Sequence, residues 1–331
     1  MSFQNIIGQK KVIETLRENA EKDRVGHAYL FCGADGIGKY TVAKAFSRLI
    51  QCTAPAGGEP CGLCEACLLN KSGTNPDRKV IEVPAGRASL GVESIRTLQE
   101  DVVTAPLYSR KKVYLIRNSE KMTVEAQNVI LKTLEEPPAH VVILLLCSNV
   151  SLMLDTVKSR VNRIDFARYT EQEIKSALAL QLLDPGEDSV VFSYADGIIG
   201  RAISYFRDPE INEIRAELMG VIEGLARDGA AFRIKSAKYI ARLKEKKEFV
   251  FFTLLSFFRD IAQLARYGST VKLQNKRQAS SIAEAAEQIG YYKAEMCLGI
   301  IDKTWRRLKQ NVNYDLASGN MLIQLQEVLY D

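Results

Sequence analysis

The sequence predicts an α/β domain with a parallel sheet, followed by an all-α region. Two observations carry this prediction. In the first half, short runs rich in β-branched, leucine and aromatic residues alternate with stretches whose apolar residues recur at three- and four-residue spacing. Strands and helices that alternate in this way form a parallel sheet covered by helices. After Phe166 the strand-like runs stop, and the later segments have helical periodicity.

Five strands are expected in residues 1–166, the predicted sheet domain. We expect them at 26–32, 78–83, 111–116, 141–147 and 161–166, with helices at 8–22, 41–50, 89–103 and 122–136. Pro137 and Pro138 end the last of these helices, because proline has no amide hydrogen and disfavours helix in the residue before it.

The remaining chain is expected to form two helical domains. Residues 167–210 predict a small unit, in which Thr170 and Glu173 have the spacing of a capping box and Gly197 and Gly200 punctuate two short helices. Residues 211–331 predict a C-terminal helical domain built from amphipathic helices. The predicted domains are therefore 1–166, 167–210 and 211–331.

The composition is that of a soluble globular protein. The 331 residues are 47% hydrophobic and 26% charged, and no apolar run approaches the roughly 20 residues that span a bilayer. The N-terminus lacks a secretory signal pattern, so we expect a cytoplasmic protein without a membrane partner. A net charge of +5 permits contact with nucleic acid but does not argue for it.

Residues 33–41, GADGIGKYT, follow a predicted strand and precede a predicted helix, as a phosphate-binding loop does. Gly33, Gly38 and Lys39 have the required spacing. In such loops the backbone amides and the lysine hold phosphates, and a Ser or Thr after the lysine binds magnesium. Tyr40 occupies that last position, and Thr41 points about 100° further round the helix. The candidate phosphate-binding residues are Gly33, Gly36, Gly38, Lys39 and Thr41.

A second part of the hydrolytic machinery is also missing. Active phosphate-loop ATPases hold magnesium with an Asp at a neighbouring strand end. Here the strand KKVYLI leads into Arg117 and Asn118. The hydroxyl after the lysine and the carboxylate at the strand end are both missing, which indicates a site that no longer hydrolyses nucleotide. Two interpretations remain open: that 33–41 is simply a turn, or that it holds ATP or ADP weakly without cleaving it.

Four cysteines predict a metal site. They have the spacing C-x8-C-x2-C-x2-C, and cytoplasmic thiols stay reduced, so tetrahedral Zn²⁺ with a structural role is favoured over disulfides. An iron–sulfur cluster is the alternative, although the further Cys-Pro typical of such clusters is absent. The predicted ligands are Cys52, Cys61, Cys64 and Cys67, and the thiols expected in the core are Cys32, Cys147 and Cys297.

Several motifs together resemble the bacterial clamp-loader subunits of the AAA+ class. IIGQKKVIETL, GHAYLFCGADGIGKYTVAKAF, the four-cysteine segment, QNVILKTLEEPP and DTVKSRV occur in that family's order over residues 5–166. The resemblance implies an AAA+ sheet domain with a zinc-binding insertion at 52–67, a helical lid and a helical collar. Active ATPase members of the family carry Asp-Glu in place of Arg117 and Asn118, and Ser or Thr in place of Tyr40. This chain therefore resembles a non-hydrolysing member.

The resemblance also implies a role for Ser159 and Arg160. They match a Ser-Arg-Cys motif, except that Val161 replaces the cysteine, and the family's arginine reaches the nucleotide on the neighbouring subunit as an arginine finger. Arg201 lies roughly where the family places a second nucleotide-sensing arginine. The implied partners are the tau/gamma and delta subunits, the sliding clamp and primed DNA.

Two alternatives from other classes stay open. The chain could be an active ATPase of the tau/gamma type, in which Thr41 and a distant carboxylate substitute for the missing groups. It could instead be a zinc-dependent DNA-binding module with a vestigial AAA+ fold. Among the remaining candidates, Glu135 and Glu136 are adjacent on a helix and do not face each other, which argues against an acid–base pair. The cations at 110–112 could contact DNA phosphates, but solvated faces or contacts with other subunits are favoured.

Overall fold

A computed structural model describes residues 2–184, 190–310 and 312–330. The chain divides into two compact units. The first, here called the sheet unit, contains the described residues up to Gln181 and the segment Gly197–Gly200. The second, the helical unit, contains the described residues of 182–196 and 201–331. The sequence-based division into three domains at 166 and 210 stays a prediction.

The sheet unit contains five parallel strands. They are β1 (Ala28–Cys32), β2 (Arg78–Ile81), β3 (Lys112–Ile116), β4 (Val141–Cys147) and β5 (Asn162–Asp165). Their order in the sheet is β2-β3-β4-β1-β5, and every neighbouring pair is parallel. All residues of β1, β3 and β4 are buried, as expected for central strands covered on both faces. All five predicted strands are confirmed.

Seven helices surround this sheet or follow it. They are α1 (Lys10–Glu21), α2 (Lys39–Gln51), α3 (Glu65–Ser72), α4 (Val92–Asp101), α5 (Val124–Glu135), α6 (Asp155–Lys158) and α7 (Glu171–Ala179). Thr123 caps α5, and Thr170 and Glu173 form the predicted capping box of α7. The parallel arrangement brings the carboxyl ends of the strands to one edge of the sheet, where Cys32 and Cys147 lie side by side.

The other helices belong mainly to the helical unit. They are α8 (Val190–Ala195), α9 (Ile199–Arg207), α10 (Ile211–Arg227), α11 (Ala230–Arg242), α12 (Lys247–Tyr267), α13 (Ala279–Leu308) and α14 (Tyr314–Tyr330). Helix α12 packs mainly against α13, and Phe257, Phe258 and Ile261 are fully buried in its wide apolar face. Helix α13 is kinked at Gly290, where φ is 71°.

A polar network lies inside the helical unit. Arg215 is 1% exposed and donates to Asn275 Oδ1 at 3.0 Å and Gln278 Oε1 at 2.9 Å. The buried carboxylate of Asp260 accepts from Asn275 Nδ2 and from the Asn275 backbone N–H, both at 2.8 Å. Buried polar groups are tolerated when they are hydrogen-bonded in this way.

A helix that crosses a membrane needs both sufficient length and an apolar surface. Within residues 2–184, 190–310 and 312–330, none combines the length and the apolar character that a bilayer span requires.

Candidate functional site

The glycine-rich loop lies at the carboxyl edge of the sheet, between β1 and α2. Gly36 and Gly38 have φ angles of 79° and 99°, which residues with a side chain rarely adopt. A residue distant in sequence also contacts the loop: the backbone N–H of Gly200 donates to Gly36 O at 3.0 Å. The predicted strand-loop-helix context of the phosphate loop is thus present.

Lys39, the lysine of the motif, is folded into the loop itself. Its Nζ donates to Gly33 O at 2.6 Å and Ala34 O at 2.9 Å, and lies 3.4 Å from Ser148 Oγ. The residue is only 7% exposed, and this burial lowers the pKa of its ammonium group, with Asp35 and Glu120 acting in the opposite direction. Two of the three N–H donors of Lys39 are thus engaged with loop carbonyls, and the third faces Ser148 Oγ.

A small cavity lies beside the loop. Its volume is about 210 Å³, below the roughly 300–1,000 Å³ of typical ligand pockets. One loop amide already has a partner, because Gly36 N donates to Asp35 Oδ1 at 3.0 Å. The residues that line the cavity are Asp35, Gly36, Gly38, Lys39, Tyr40, Thr41, Arg117, Asn118 and Leu146.

Tyr40 contacts Arg117, the residue that directly follows β3. The Arg117 guanidinium lies over the Tyr40 ring, 4.8 Å from its centroid, a cation–π arrangement. Arg117 also pairs with Glu82 at 2.8 Å. The residue after the loop lysine and the residue after β3 are thus an aromatic ring and a positive charge that contact each other.

One carboxylate near the loop was missed by the sequence reasoning. Glu120 follows β3 by four positions and accepts a hydrogen bond from Ser148 N at 3.1 Å, at the end of β4. Its charge raises the pKa of Lys39, against the larger effect of burial. The position of Glu120 beside the loop could not be predicted from its distance to β3 in the sequence, because it depends on the turn Ser119–Lys121.

Ser159 and Arg160 follow the short helix α6. Arg160 Nη1 donates to Thr156 O at 2.9 Å and to Ser159 Oγ at 3.2 Å. Arg160 Nη2 pairs with Glu135 Oε1 at 2.8 Å, at the end of α5. The arginine side chain remains 37% exposed. The sequence alone did not predict this ion pair, because Glu135 and Arg160 are 25 positions apart.

Arg201 lies in the helical unit near the start of α9. Its Nη2 pairs with Glu248 Oε2 at 2.9 Å, and both side chains are partly exposed. The contact gives Arg201 a carboxylate partner within its own unit. Its predicted role as a nucleotide sensor stays a prediction.

The four predicted metal ligands form a cluster. Their sulfur atoms all lie within 4.8 Å of one another, and Cys52 Sγ and Cys64 Sγ are 3.9 Å apart. Four sulfurs at 2.3 Å from a tetrahedral Zn²⁺ ion are about 3.8 Å apart, so the spacing fits zinc. The remaining members of the cluster are Cys61 and Cys67.

Backbone amides support the sulfur atoms of the cluster. Cys61 N donates to Cys52 Sγ at 3.2 Å, and Cys64 N donates to Cys61 Sγ at 3.3 Å. Burial opposes ionisation of Cys64, but hydrogen bonds, chiefly from Thr53, lower its pKa to about 6. Burial raises the pKa of Cys52 and Cys67, so a metal ion that binds thiolates would have to displace their protons. The thiols predicted to lie in the core, Cys32, Cys147 and Cys297, are buried.

Comparison with known proteins decides the family. A family model described as DNA polymerase III, delta subunit, matches residues 8–170. The chain is 30% identical to DNA polymerase III subunit delta' of Bacillus subtilis over 322 residues, which cover 96% of each protein. The chain belongs to the DNA polymerase III delta-prime family.

Other clamp-loader subunits are also similar to this member of the delta-prime family. It is 33% identical to DNA polymerase III subunit tau of Bacillus subtilis over 74% of this chain and 44% of that protein. A solved structure of a gamma subunit-related protein from Thermotoga maritima aligns with 96% of the chain and 99% of its own length, at 19% identity and a TM-score of 0.47.

Proposed function

We propose that this delta-prime family member is a non-hydrolysing subunit of the DNA polymerase III clamp loader. In the assembled ring it offers Arg160 to ATP bound on a neighbouring tau/gamma subunit. The same complex contains a delta subunit and loads the sliding clamp onto primed DNA. The active tau/gamma-type alternative is disfavoured by the groups that occupy the magnesium positions.

The contact between Tyr40 and Arg117 carries this proposal. Magnesium bound to a phosphate loop needs a hydroxyl and a carboxylate. Here Tyr40 cannot place a small hydroxyl on the ion, and the positive charge of Arg117 would repel it. Lys39 is engaged with loop carbonyls, which supports a loop that is stable without nucleotide.

The exposed guanidinium of Arg160 supports a role in trans. A guanidinium aimed at the transferred phosphoryl group stabilises the charge that develops there, with an effect of about 10³- to 10⁵-fold in other systems. Ser159 contacts the same side chain and is a candidate for fixing its orientation.

We further propose that the cysteine cluster holds one structural Zn²⁺ ion. The four ligands are Cys52, Cys61, Cys64 and Cys67. A site with four cysteine ligands leaves no coordination position open for a substrate, so the ion would order the insertion at 52–67 rather than take part in chemistry.

ATP hydrolysis by a reconstituted complex tests the proposal. The isolated chain should be inactive with ATP and Mg²⁺. The complex that contains Arg160→Ala should assemble normally, yet lose at least about tenfold of its DNA- and clamp-stimulated rate. Hydrolysis by the isolated chain, or an unchanged rate with Arg160→Ala, would contradict the proposed function.

A further inference from the structure

The guanidinium of Arg160 is held by groups from two elements that pack together. Helix α6 packs against α5, and Glu135 is the last residue of α5. Its carboxylate pairs with Arg160 Nη2 at 2.8 Å. On the α6 side, Thr156 O and Ser159 Oγ accept from Nη1. The side chain is therefore fixed at both terminal nitrogens.

These contacts leave part of the guanidinium available. An arginine carries five N–H donors; the hydrogen bonds to Thr156 and Ser159 occupy two of them, and the Glu135 carboxylate lies beside Nη2 as an ion pair. Among the described contacts no further group approaches the remaining donors, and the side chain is 37% exposed. A guanidinium held in this way can bridge its carboxylate partner and an incoming phosphate.

The neighbouring residue provides a comparison. Glu136 is also exposed, and among the described contacts its side chain makes no hydrogen bond or ion pair. Its backbone N–H closes the helix on Lys132 O. Of these two adjacent exposed glutamates, Glu135 contacts Arg160 and Glu136 does not, among the described contacts.

We propose that Glu135 is the positioning residue for Arg160, an inference that rests on the proposed function. A free arginine side chain samples many rotamers, and a catalytic charge is effective only when its geometry is fixed in advance. Removal of the Glu135 carboxylate should reduce the fraction of time that Arg160 spends in the productive orientation. Since exposed ion pairs are weak, the rate should fall about twofold to fivefold.

The test uses the complete reconstituted complex and steady-state ATP hydrolysis with DNA and clamp present. Glu135→Ala should lower kcat about twofold to fivefold without changing KM, because Arg160 acts in the transition state. Glu135→Gln keeps an oxygen that accepts from Nη2 and should retain most of the rate. Glu136→Ala, the matched control, should match wild type.

The double variant separates positioning from other effects. If Glu135 acts through Arg160, Glu135→Ala should cause no further loss in an Arg160→Ala background. A further loss there, an increase in rate with Glu135→Ala alone, or an equal loss with Glu136→Ala would overturn the inference.

The result with Arg160→Ala alone shows which proposal fails. If that variant has the wild-type rate, the trans-acting role and the positioning inference both fail. If Arg160→Ala lowers the rate while Glu135→Ala does not, only the positioning inference fails. Native mass spectrometry of each complex checks that assembly is unchanged.

Discussion

Asp101, at the end of α4, should stabilise the sheet unit in a pH-dependent manner. Its Oδ1 pairs with Lys79 at 2.8 Å and Lys112 at 3.0 Å, and its Oδ2 accepts from the Tyr114 hydroxyl at 2.6 Å. Lys112 has a side chain that is only 6% exposed. The carboxylate therefore joins α4 to β2 and β3 and neutralises a buried ammonium group.

The size of this contribution follows from the pKa of Asp101. Burial opposes ionisation, but the hydrogen bonds with Lys79, Tyr114 and Lys112 lower the pKa from 3.8 to about 2. A pKa shift of one unit corresponds to about 1.4 kcal/mol, so this lowering of the Asp101 pKa corresponds to about 2.5 kcal/mol. Because the side chain is still 21% exposed, solvent screening reduces this to about 1–2 kcal/mol. Asp101→Asn should lower the free energy of unfolding at pH 7 by that amount.

The pH dependence has a definite sign. The native state lowers the pKa of Asp101, so its contribution is complete well above pH 3.8 and declines as the pH falls towards 2. At pH 3 about half of the difference between wild type and Asp101→Asn should remain.

Urea denaturation followed by circular dichroism, between pH 7 and pH 3, measures this difference. Asp155→Asn is the control, because its side chain is 97% exposed and pairs only with Lys158 on the same short helix. That variant should show no measurable change. The reasoning is wrong if both substitutions have the same effect, or if the Asp101→Asn difference is as large at pH 3 as at pH 7.

Three further predictions concern other parts of the molecule. In Gly200→Ala the new Cβ would lie 2.8 Å from the backbone of the glycine-rich loop, so the variant should lose about 1–3 kcal/mol of stability. Gly220→Ala, exposed in α10 with no neighbour within 4 Å, should instead gain up to about 1 kcal/mol. If urea unfolding shows that both variants change the free energy of unfolding in the same direction, this prediction is wrong. Cys61→Ser should lower bound zinc well below one ion per chain after dialysis against a chelator, and Cys147→Ala should retain it, as atomic emission can measure. Asp260→Ala should lower the free energy of unfolding by about 3 kcal/mol or more, because the buried N–H donors of Asn275 lose their acceptor. Asp260→Asn, which keeps one oxygen, should lower it by less in the same urea assay.

The sheet could be predicted from the sequence because burial imposes a local pattern. Strands β1, β3 and β4 are buried along their whole length, so their segments consist of apolar runs, apart from Lys112 at the start of β3. The cysteine cluster was predictable for a similar reason, since its four ligands lie within 16 residues of one another. In both cases the pattern that permits the prediction lies in residues that are close together in the sequence.

Contacts between distant segments were not predictable in this way. Lys112 is a case in which the expectation was wrong, because it was assigned to a solvated or intersubunit cluster and is in fact buried against Asp101. The pairing of Glu135 with Arg160 was likewise missed, because it depends on how α5 and α6 pack. Neither lysine nor glutamate indicates by its own sequence position whether a partner lies within reach.

The residues of the glycine-rich loop have structural roles that do not depend on ATP hydrolysis. A Cβ at Gly36 would press on Ile198 and the backbone of Gly200, and one at Gly38 would lie 3.2 Å from the Tyr169 hydroxyl. Lys39 satisfies carbonyls within the loop. These residues therefore have packing roles that need no nucleotide, whereas a hydroxyl for magnesium has no such role. Gly-Lys spacing in this fold consequently indicates the shape of the loop. Under the proposed function, the residue after the lysine and the residue after β3 indicate whether the loop can hydrolyse ATP.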